Sequence, residues 1–234
     1  MMTPFKYALP CMALFLFDFL PQVQAYGQDQ DTVQDANAWQ QEAHDDDLDI
    51  TVFTRTVGKS PLKEFKGVTH INAPVEAFVA LLEDTQRATE WMHNVTTFKV
   101  MQSPSDVENV VYTVNATPWP VTDRDVYIRS VFSANEIGQV TSSIQLEPGF
   151  DKDDDYVRMS GIVGKWQFTP KENGMTEVIY QVHADPGGSL PNWLVNAIVV
   201  DTPLNTLENL HKVVHDSQYQ NKQYDFIKQA MANK

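Results

Sequence analysis

The stretch LPNWLVNAIVVDTPLNTLENLHKVVHD, residues 190–216, decides the fold of this chain. Its apolar residues recur at steps of three and four, which predicts one long helix, and its first half is apolar almost all round. Such a helix must be covered by other elements. Pro203 removes a backbone hydrogen bond near the middle, so a kink or a break is predicted there. The predicted apolar face consists of Trp193, Ala197, Val200, Leu204, Leu207 and Val214.

The cover for this helix is predicted to be a sheet. Apolar and polar residues alternate in segments 50–55 and 62–71, as half-buried strands require. From residue 95 onward six further alternating segments follow one another through tight polar turns, and such short connections imply an antiparallel meander. These six segments are TTFKVMQ, VENVVYTVNA, DVYIRSVFSA, QVTSSIQLE, DYVRMSGIVGKWQFTP and MTEVIYQVHA.

Short helices complete the pattern. PVEAFVALLED, residues 74–84, has helical spacing behind a proline, and a second short piece carries Trp91 and Met92. Residues 39–44 are predicted to form another short helix before an acidic run. The order is therefore helix, two strands, two short helices, six strands and a closing helix. This order predicts an α+β fold in which a curved antiparallel sheet wraps around the C-terminal helix.

Composition limits the classes of partner. The chain has 234 residues and a formal net charge of −14, and 42% of its residues are hydrophobic, which is enough for a substantial core. The negative charge disfavours nucleic acid and tight docking on anionic lipid headgroups, because both need a basic patch. We expect a disordered segment over residues 26–34 and a helical tail over residues 217–234.

The N-terminus has the pattern of a signal peptide. Lys6 precedes an apolar run over residues 7–17, and Val23-Gln24-Ala25 offers small residues for cleavage. We therefore predict a signal peptide over residues 1–25 and an exported protein, periplasmic in a bacterium or else secreted. An uncleaved membrane anchor is the alternative. The single cysteine of the chain, Cys11, lies in this segment.

Three motifs resemble the START family of lipid-transfer domains. They are PWPVTDRDVYIR (residues 118–129), GKWQFTP (164–170) and HADPGGSLPNWLVN (183–196), and they stand in the family's order. The resemblance covers residues 35–216. It implies a helix-grip fold, in which the curved sheet and the last helix enclose a hydrophobic tunnel. It also implies binding and transfer of one hydrophobic molecule without turnover and without a cofactor.

The strand after the first motif is predicted to line the tunnel. Val126, Ile128, Ser130 and Phe132 share one face, and Arg129 points to the other. In cholesterol-binding relatives an arginine of this strand pairs with an acid on the preceding strand. Ser130 stands at that arginine's place, and Tyr112 and Thr113 at the acid's, which predicts a neutral ligand met by hydroxyls, such as a sterol or an acyl compound. The further predicted wall residues are Tyr112, Trp166, Phe168, Val178, Tyr180, Trp193, Ala197 and Val200.

Arg124 allows two interpretations. Asp123 and Asp125 flank it, which favours a structural ion pair that fixes the loop to the sheet. The functional alternative is contact with a ligand headgroup at the mouth of the tunnel, where Arg124 and Asp125 would both lie.

Motifs for metal binding or catalysis are incomplete. His211 and His215 have a zinc-chelating spacing, but no third ligand is evident, and residues 151–155 lack the glycine and the final acid of a calcium loop. His183 and Asp185 could act together as a general base, but no nucleophile is present for them to activate. Capping of the following glycine turn is therefore the favoured role. We therefore predict no metal site and no catalytic residue.

Three functions remain open. The first is a carrier of a lipid through an aqueous compartment, with transient membrane contact. The second is an enzyme of the wider helix-grip superfamily, cyclase-like or hydrolase-like, which would need a polar pair inside the tunnel. The third is a ligand-dependent sensor or adaptor that docks through Tyr224, Phe226 and Ile227 of the tail.

Overall fold

Strands dominate the computed structural model, which describes residues 38–58, 60 and 62–233. The predicted signal peptide and the predicted disordered segment over residues 26–34 lie outside these residues. The described strands are β1 (Gln40–Asp45), β2 (Ile50–Thr56), β3 (Lys63–Ile71), β4 (Val95–Ser105), β5 (Glu108–Asn115), β6 (Arg124–Ala134), β7 (Val140–Leu146), β8 (Val157–Arg158), β9 (Gly161–Pro170) and β10 (Thr176–Asp185). The described helices are α1 (Val75–Glu83), α2 (Ala88–Trp91), α3 (Asn192–Val213) and α4 (Asp225–Ala232).

One antiparallel sheet forms the body of the molecule. Its strand order is β1-β2-β3-β10-β9-β7-β6-β5-β4, so β1 and β4 are its edges. The short β8 lies off this path and pairs with β6 in parallel. The predicted meander is confirmed from β4 through β10, because each long strand pairs with the next one along the chain. The pairing of β10 with β3 then joins the N-terminal strands to the meander.

The predicted helix at residues 39–44 is wrong. Residues 40–44 belong to β1, which pairs with β2 in a register that sets Gln40 opposite Thr54 and Asp45 opposite Ile50. A helix this short gains few internal hydrogen bonds for the backbone entropy that it loses, whereas an edge strand gains a ladder with its neighbour. The carboxylate of Asp45 ends β1 by accepting hydrogen bonds from the backbone N–H groups of Asp47 and Leu48.

The core lies between the sheet and the helices α1 and α3. Helix α1 follows Pro74, as predicted, and buries Phe78 and Leu81. Phe78 stacks on Phe168 of β9, with ring centroids 5.0 Å apart. Helix α1 therefore covers the part of the sheet where β9 and β10 are joined.

The predicted closing helix is confirmed as α3. It runs unbroken through Pro203, and the proline ring is buried against the sheet. Leu207, Leu210 and Val214 follow at helical spacing and are almost fully buried. The apolar second half of this face therefore packs on the core. No helix within the described ranges combines the length and the apolar character that crossing a membrane requires.

The C-terminal tail packs on the rest of the fold. Ile227 of α4 is buried, and the Tyr224 hydroxyl donates a hydrogen bond of 2.8 Å to Glu83. The buried Tyr219 donates a hydrogen bond of 2.8 Å to Asp84. Phe226 lies beside Phe132 of β6, with ring centroids 6.2 Å apart. The apolar residues of the tail thus belong to the packed structure.

Candidate functional site

A cavity of about 240 Å³ lies between the concave face of the sheet and α3. Its wall is mostly apolar, with contributions from β3 to β7, β9 and β10, from the α2–β4 connection and from α3. The apolar side chains of the wall include Phe65, Phe98, Val111, Val126, Ile128, Ile144, Trp166, Tyr180, Val182, Val195, Ile198 and Val199. A wall of this kind removes apolar ligand surface from water, at about 25 cal/mol per Å².

Strand β6 supplies an unbroken line of wall residues. Val126, Ile128, Ser130 and Phe132 lie on the cavity, as their alternation predicts. Arg129 lies on the outer face, where its guanidinium binds Glu147 at 2.7 and 2.9 Å. The regular period of two along β6 made this face readable from the sequence.

The aromatic residues of β9 and β10 divide between the cavity and the core. Trp166 and Tyr180 lie on the wall and stack on each other, with ring centroids 3.9 Å apart. Phe168 and Val178 were predicted on the wall as well, but they pair with each other further along the sheet and are buried under α1. Their position is corrected to the core.

Tyr112 does not lie on the cavity. On β5 the wall residues are Val111 and Thr113, so Tyr112 faces the outside of the sheet. There its ring lies beside that of Tyr127, and its hydroxyl donates a hydrogen bond of 3.3 Å to Asp125. The prediction named Tyr112 and Thr113 together, and the alternation of a strand allows only one of them to face the ligand.

Helix α3 meets the cavity with a face that the sequence did not reveal. The predicted wall residues Trp193, Ala197 and Val200 are not on the wall, and Trp193 is 61% exposed. The cavity face of α3 consists instead of Val195, Ile198, Val199 and Thr202. Because the first half of the helix is apolar all round, its pattern could not determine which face the sheet would cover.

Arg124 and Asp125 separate onto opposite faces of β6. Asp125 is fully buried and accepts two hydrogen bonds, of 2.9 and 2.8 Å, from the guanidinium of Arg158 on β8. Arg124 lines the cavity and is 4% exposed. The predicted pairing of Arg124 with its flanking acids is therefore wrong. Asp123 accepts a hydrogen bond from the backbone of Thr117, which fixes the loop instead.

The polar side chains of the wall differ in their hydrogen-bond and ion-pair partners. Ser130 and Ser142 hydrogen-bond to each other at 2.8 Å. The ammonium group of Lys63 donates a hydrogen bond of 2.9 Å to Glu42, so only the rest of the Lys63 side chain lines the cavity. His93 also lines the cavity, and burial lowers its pKa. A neutral imidazole is therefore expected there at pH 7.

Sequence reasoning missed His93 and Thr202 because nothing in their local pattern distinguishes a wall residue. His93 lies in the connection between α2 and β4, and its backbone N–H donates a hydrogen bond of 3.1 Å to Thr206 of α3. This contact brings the connection against the helix and turns both segments toward the cavity. Long-range packing of this kind has no periodic signature.

The remaining histidine and acidic motifs have structural roles. His211 bonds the buried Thr69 at 2.8 Å, and His183 bonds Ser60 at 3.1 Å. Asp185 accepts a hydrogen bond of 3.0 Å from the backbone N–H of Gly187, so it caps the glycine turn as predicted. Within the described part of the chain, no group of three or more His, Cys, Asp or Glu residues is placed to hold a metal ion.

Comparison with known proteins gives close matches. The START domain family matches residues 28–218. An uncharacterized protein of Pseudomonas aeruginosa is 37% identical over 166 residues, which are 70% of this chain and 82% of that protein. The crystal structure of a STAR-related lipid transfer protein from Xanthomonas axonopodis has a TM-score of 0.70 and 31% identity, and the match covers 76% of this chain and 99% of that one. Human StAR-related lipid transfer protein 5 has a TM-score of 0.69 and 19% identity, with 77% and 88% covered.

Proposed function

The chain belongs to the START domain family, and on that premise we propose that it encloses one hydrophobic molecule in its cavity and carries it through an aqueous compartment. The helix-grip fold predicted from the three motifs is confirmed, and lipid binding in general follows from the family. The observation that supports a carrier is the apolar cavity under α3, whose wall is continuous from Val126 to Phe132 along β6. A ligand there is withdrawn from water along most of its length.

Carriage without turnover is part of the proposal. An enzyme would need an acid–base pair beside the ligand, and His93 is one of the titratable side chains on the wall, with Lys63 and Tyr180. Among the described residues that line the cavity, none is an aspartate or a glutamate. The carrier is therefore favoured over a cyclase-like or hydrolase-like enzyme.

The tail argues for a carrier over an adaptor. Tyr224, Phe226 and Ile227 were the predicted docking residues of a sensor. Ile227 is buried in the protein's own core, and Tyr224 and Phe226 pack beside it. A partner could reach these side chains only after α4 had left the fold.

Transient membrane contact is proposed at the loop that carries Trp119. This side chain is 92% exposed, and Trp193 at the start of α3 is also exposed. Pro120 directly follows Trp119, and Pro191 stands two residues before Trp193. Both prolines line one surface pocket, so the two segments are adjacent. Exposed tryptophans suit the interface between water and lipid, where one end of the ring system is apolar and the other is wet.

Export is proposed from the residues 1–25 pattern alone, with the periplasm or the extracellular space as the compartment crossed.

The carrier proposal is tested on the full chain isolated from lipid-rich cells. Native mass spectrometry is followed by organic extraction, and transfer of a labelled lipid between vesicles is then measured. We expect one bound lipid per protein and a transfer rate that rises with protein concentration. A protein that binds no sterol, no fatty acid and no phospholipid would refute the proposal.

A further inference from the structure

The guanidinium of Arg124 is buried on the cavity wall and forms no ion pair with a described carboxylate. Arg124 is 4% exposed, and its Nη1 donates a hydrogen bond to the backbone oxygen of Thr122. Its Nε has no hydrogen-bond partner among the described residues. The adjacent carboxylate of Asp125 is bound by Arg158, and no described carboxylate lies within 4.0 Å of Arg124.

The charge on the wall is opposite in sign to the charge of the whole protein. The chain carries a formal charge of −14, yet the described cavity wall includes no acidic side chain. Lys63 also reaches the wall, but Glu42 neutralises it. Asp123 attracts the Arg124 charge only at a longer range than an ion pair. Arg124 is therefore the cation of the described cavity wall that has no carboxylate within ion-pair distance and that a ligand anion can pair.

An unpaired buried arginine is costly, because an arginine keeps its proton under all ordinary conditions. A buried charge is normally compensated by an opposite charge and by hydrogen bonds. A ligand oxyanion can supply both, since a guanidinium offers parallel N–H donors that match a carboxylate.

We propose that the ligand is a single-chain amphiphile whose carboxylate is bound by Arg124. This inference rests on the proposed lipid-binding function and names the ligand class of the same cavity. It replaces the neutral ligand predicted from Ser130, which stands where cholesterol-binding relatives have an arginine. The arginine that faces this cavity is Arg124, six residues before Ser130 on β6.

The layout of β6 fits a head at one end and a tail along the strand. Arg124 also lines the surface pocket beside the loop of Val121 and the turn of Gly188, so the head would lie close to solvent. Val126 and Ile128 follow it on the wall, and Ser130 lies about 20 Å from Arg124 at the rise of an extended strand. An extended acyl chain of about sixteen carbons spans this distance, because a zigzag of C–C bonds of about 1.5 Å advances ~1.3 Å per carbon.

The size of the cavity favours one chain over two. A volume of about 240 Å³ lies just below the ordinary range for small-ligand sites, which begins at about 300 Å³. Two-chain phospholipids need considerably more room than one acyl chain.

The test compares affinities of the full-length protein for hexadecanoic acid, its methyl ester and a lysophosphatidic acid of the same chain length. We expect the acid to bind at least about tenfold more tightly than the ester, the preference of a charge-assisted contact over a neutral one. In Arg124→Met this preference should disappear while binding of the ester persists, and Arg124→Lys should keep part of it. Thermal unfolding of each variant shows whether it is folded.

The outcomes separate this inference from the carrier proposal. If the wild-type protein binds hexadecanoic acid and its methyl ester with equal affinity, the proposed contact between Arg124 and a ligand carboxylate is overturned, while the carrier proposal stands. This outcome is read on the wild-type protein alone. Tighter binding of the lysophosphatidic acid than of hexadecanoic acid overturns the carboxylate in favour of a phosphate. Failure to bind any of the three, or any sterol or phospholipid, refutes the carrier itself.

Discussion

Leu207 of α3 packs directly on Gly67 of β3. A Cβ atom added at Gly67 would lie 2.6 Å from Leu207 Cδ1 and 3.2 Å from Pro203 Cβ. Both Gly67 and Leu207 are buried, so neither the helix nor the strand has free space into which it could shift. The closing helix therefore reaches the sheet at a point where only a glycine leaves room for it.

Gly67→Ala should destabilise the protein by about 1–3 kcal/mol, the range for overpacking a well-packed core. Urea unfolding followed by circular dichroism measures the change. Gly161→Ala is the matched control, since a Cβ atom at Gly161 meets its nearest neighbour, Asp185 Cβ, at an ordinary 3.8 Å. Equal stabilities of the two variants would show that the contact between α3 and β3 tolerates a methyl group.

Arg158→Met should destabilise the protein by about 3 kcal/mol, because it leaves the fully buried Asp125 carboxylate without its cation. The comparison is Lys152→Met, which removes an exposed ion pair with Asp154 and should change the free energy of unfolding by less than about 1 kcal/mol. Similar unfolding midpoints for both variants would contradict the structural role of the Asp125–Arg158 pair.

Ile128→Trp should block the cavity. The new ring would occupy the middle of the β6 wall, where a ligand chain must pass, and lipid binding should weaken by at least about tenfold, or ~1.4 kcal/mol. Titration with a fluorescent fatty acid measures the loss. Val163→Trp makes the same kind of change at an exposed position of β9 and should leave binding unchanged. Undiminished binding by Ile128→Trp would place the ligand elsewhere.

Stability should fall as the pH falls below about 6.5. Burial lowers the pKa of His211 from its ordinary value of 6.5, and the neighbouring His215 lowers it further. The charges of Asp45 and Asp49 raise this pKa but do not offset the lowering. A depressed pKa means that the unfolded chain binds the proton more readily. The contribution of neutral His211 to stability is therefore complete above pH 6.5. It is lost as the pH falls through the pKa of His211 in the folded protein, which lies below 6.5.

His211→Gln should flatten this dependence between about pH 7 and pH 5, and chemical denaturation at each pH measures the slope. Glu83 contributes in the opposite sense, because burial raises its pKa, but it does so equally in both proteins. The difference between wild type and variant thus isolates His211. Parallel slopes would mean that His211 titrates alike in the folded and unfolded chains.

Trp119→Ser combined with Trp193→Ser should weaken binding to vesicles of neutral, zwitterionic lipid, since these exposed rings lie where the membrane is proposed to touch. Vesicle sedimentation measures the bound fraction, and Val163→Ser removes an exposed apolar residue elsewhere as the control. If both proteins sediment like the wild type, the membrane contact does not involve this surface.

Local patterns were reliable where one period dominated. Val126, Ile128, Ser130 and Phe132 alternate without interruption, and all four lie on the cavity wall. The same rule explains an error, because successive residues of a strand point to opposite faces. Arg124 could not share the cavity side with Asp125, and the carboxylate instead met Arg158 on a strand that pairs in parallel.

The strand at residues 40–45 shows a different limit of local reasoning. Nothing in QQEAHD favours a strand by itself, and the segment becomes one because β2 offers an unpaired edge. Its hydrogen bonds are long-range contacts, which a local pattern does not contain.

The sequence alone determined the order of the main elements after β1, the meander and the long closing helix, because these follow from periods of two and of 3.6 residues that each segment carries within itself. It also placed the β6 residues on one face. Only the tertiary structure decided which side of α3 meets the cavity and which arginine is left there without an acid. Those outcomes depend on contacts between distant segments, such as Leu207 on Gly67 and Arg158 on Asp125.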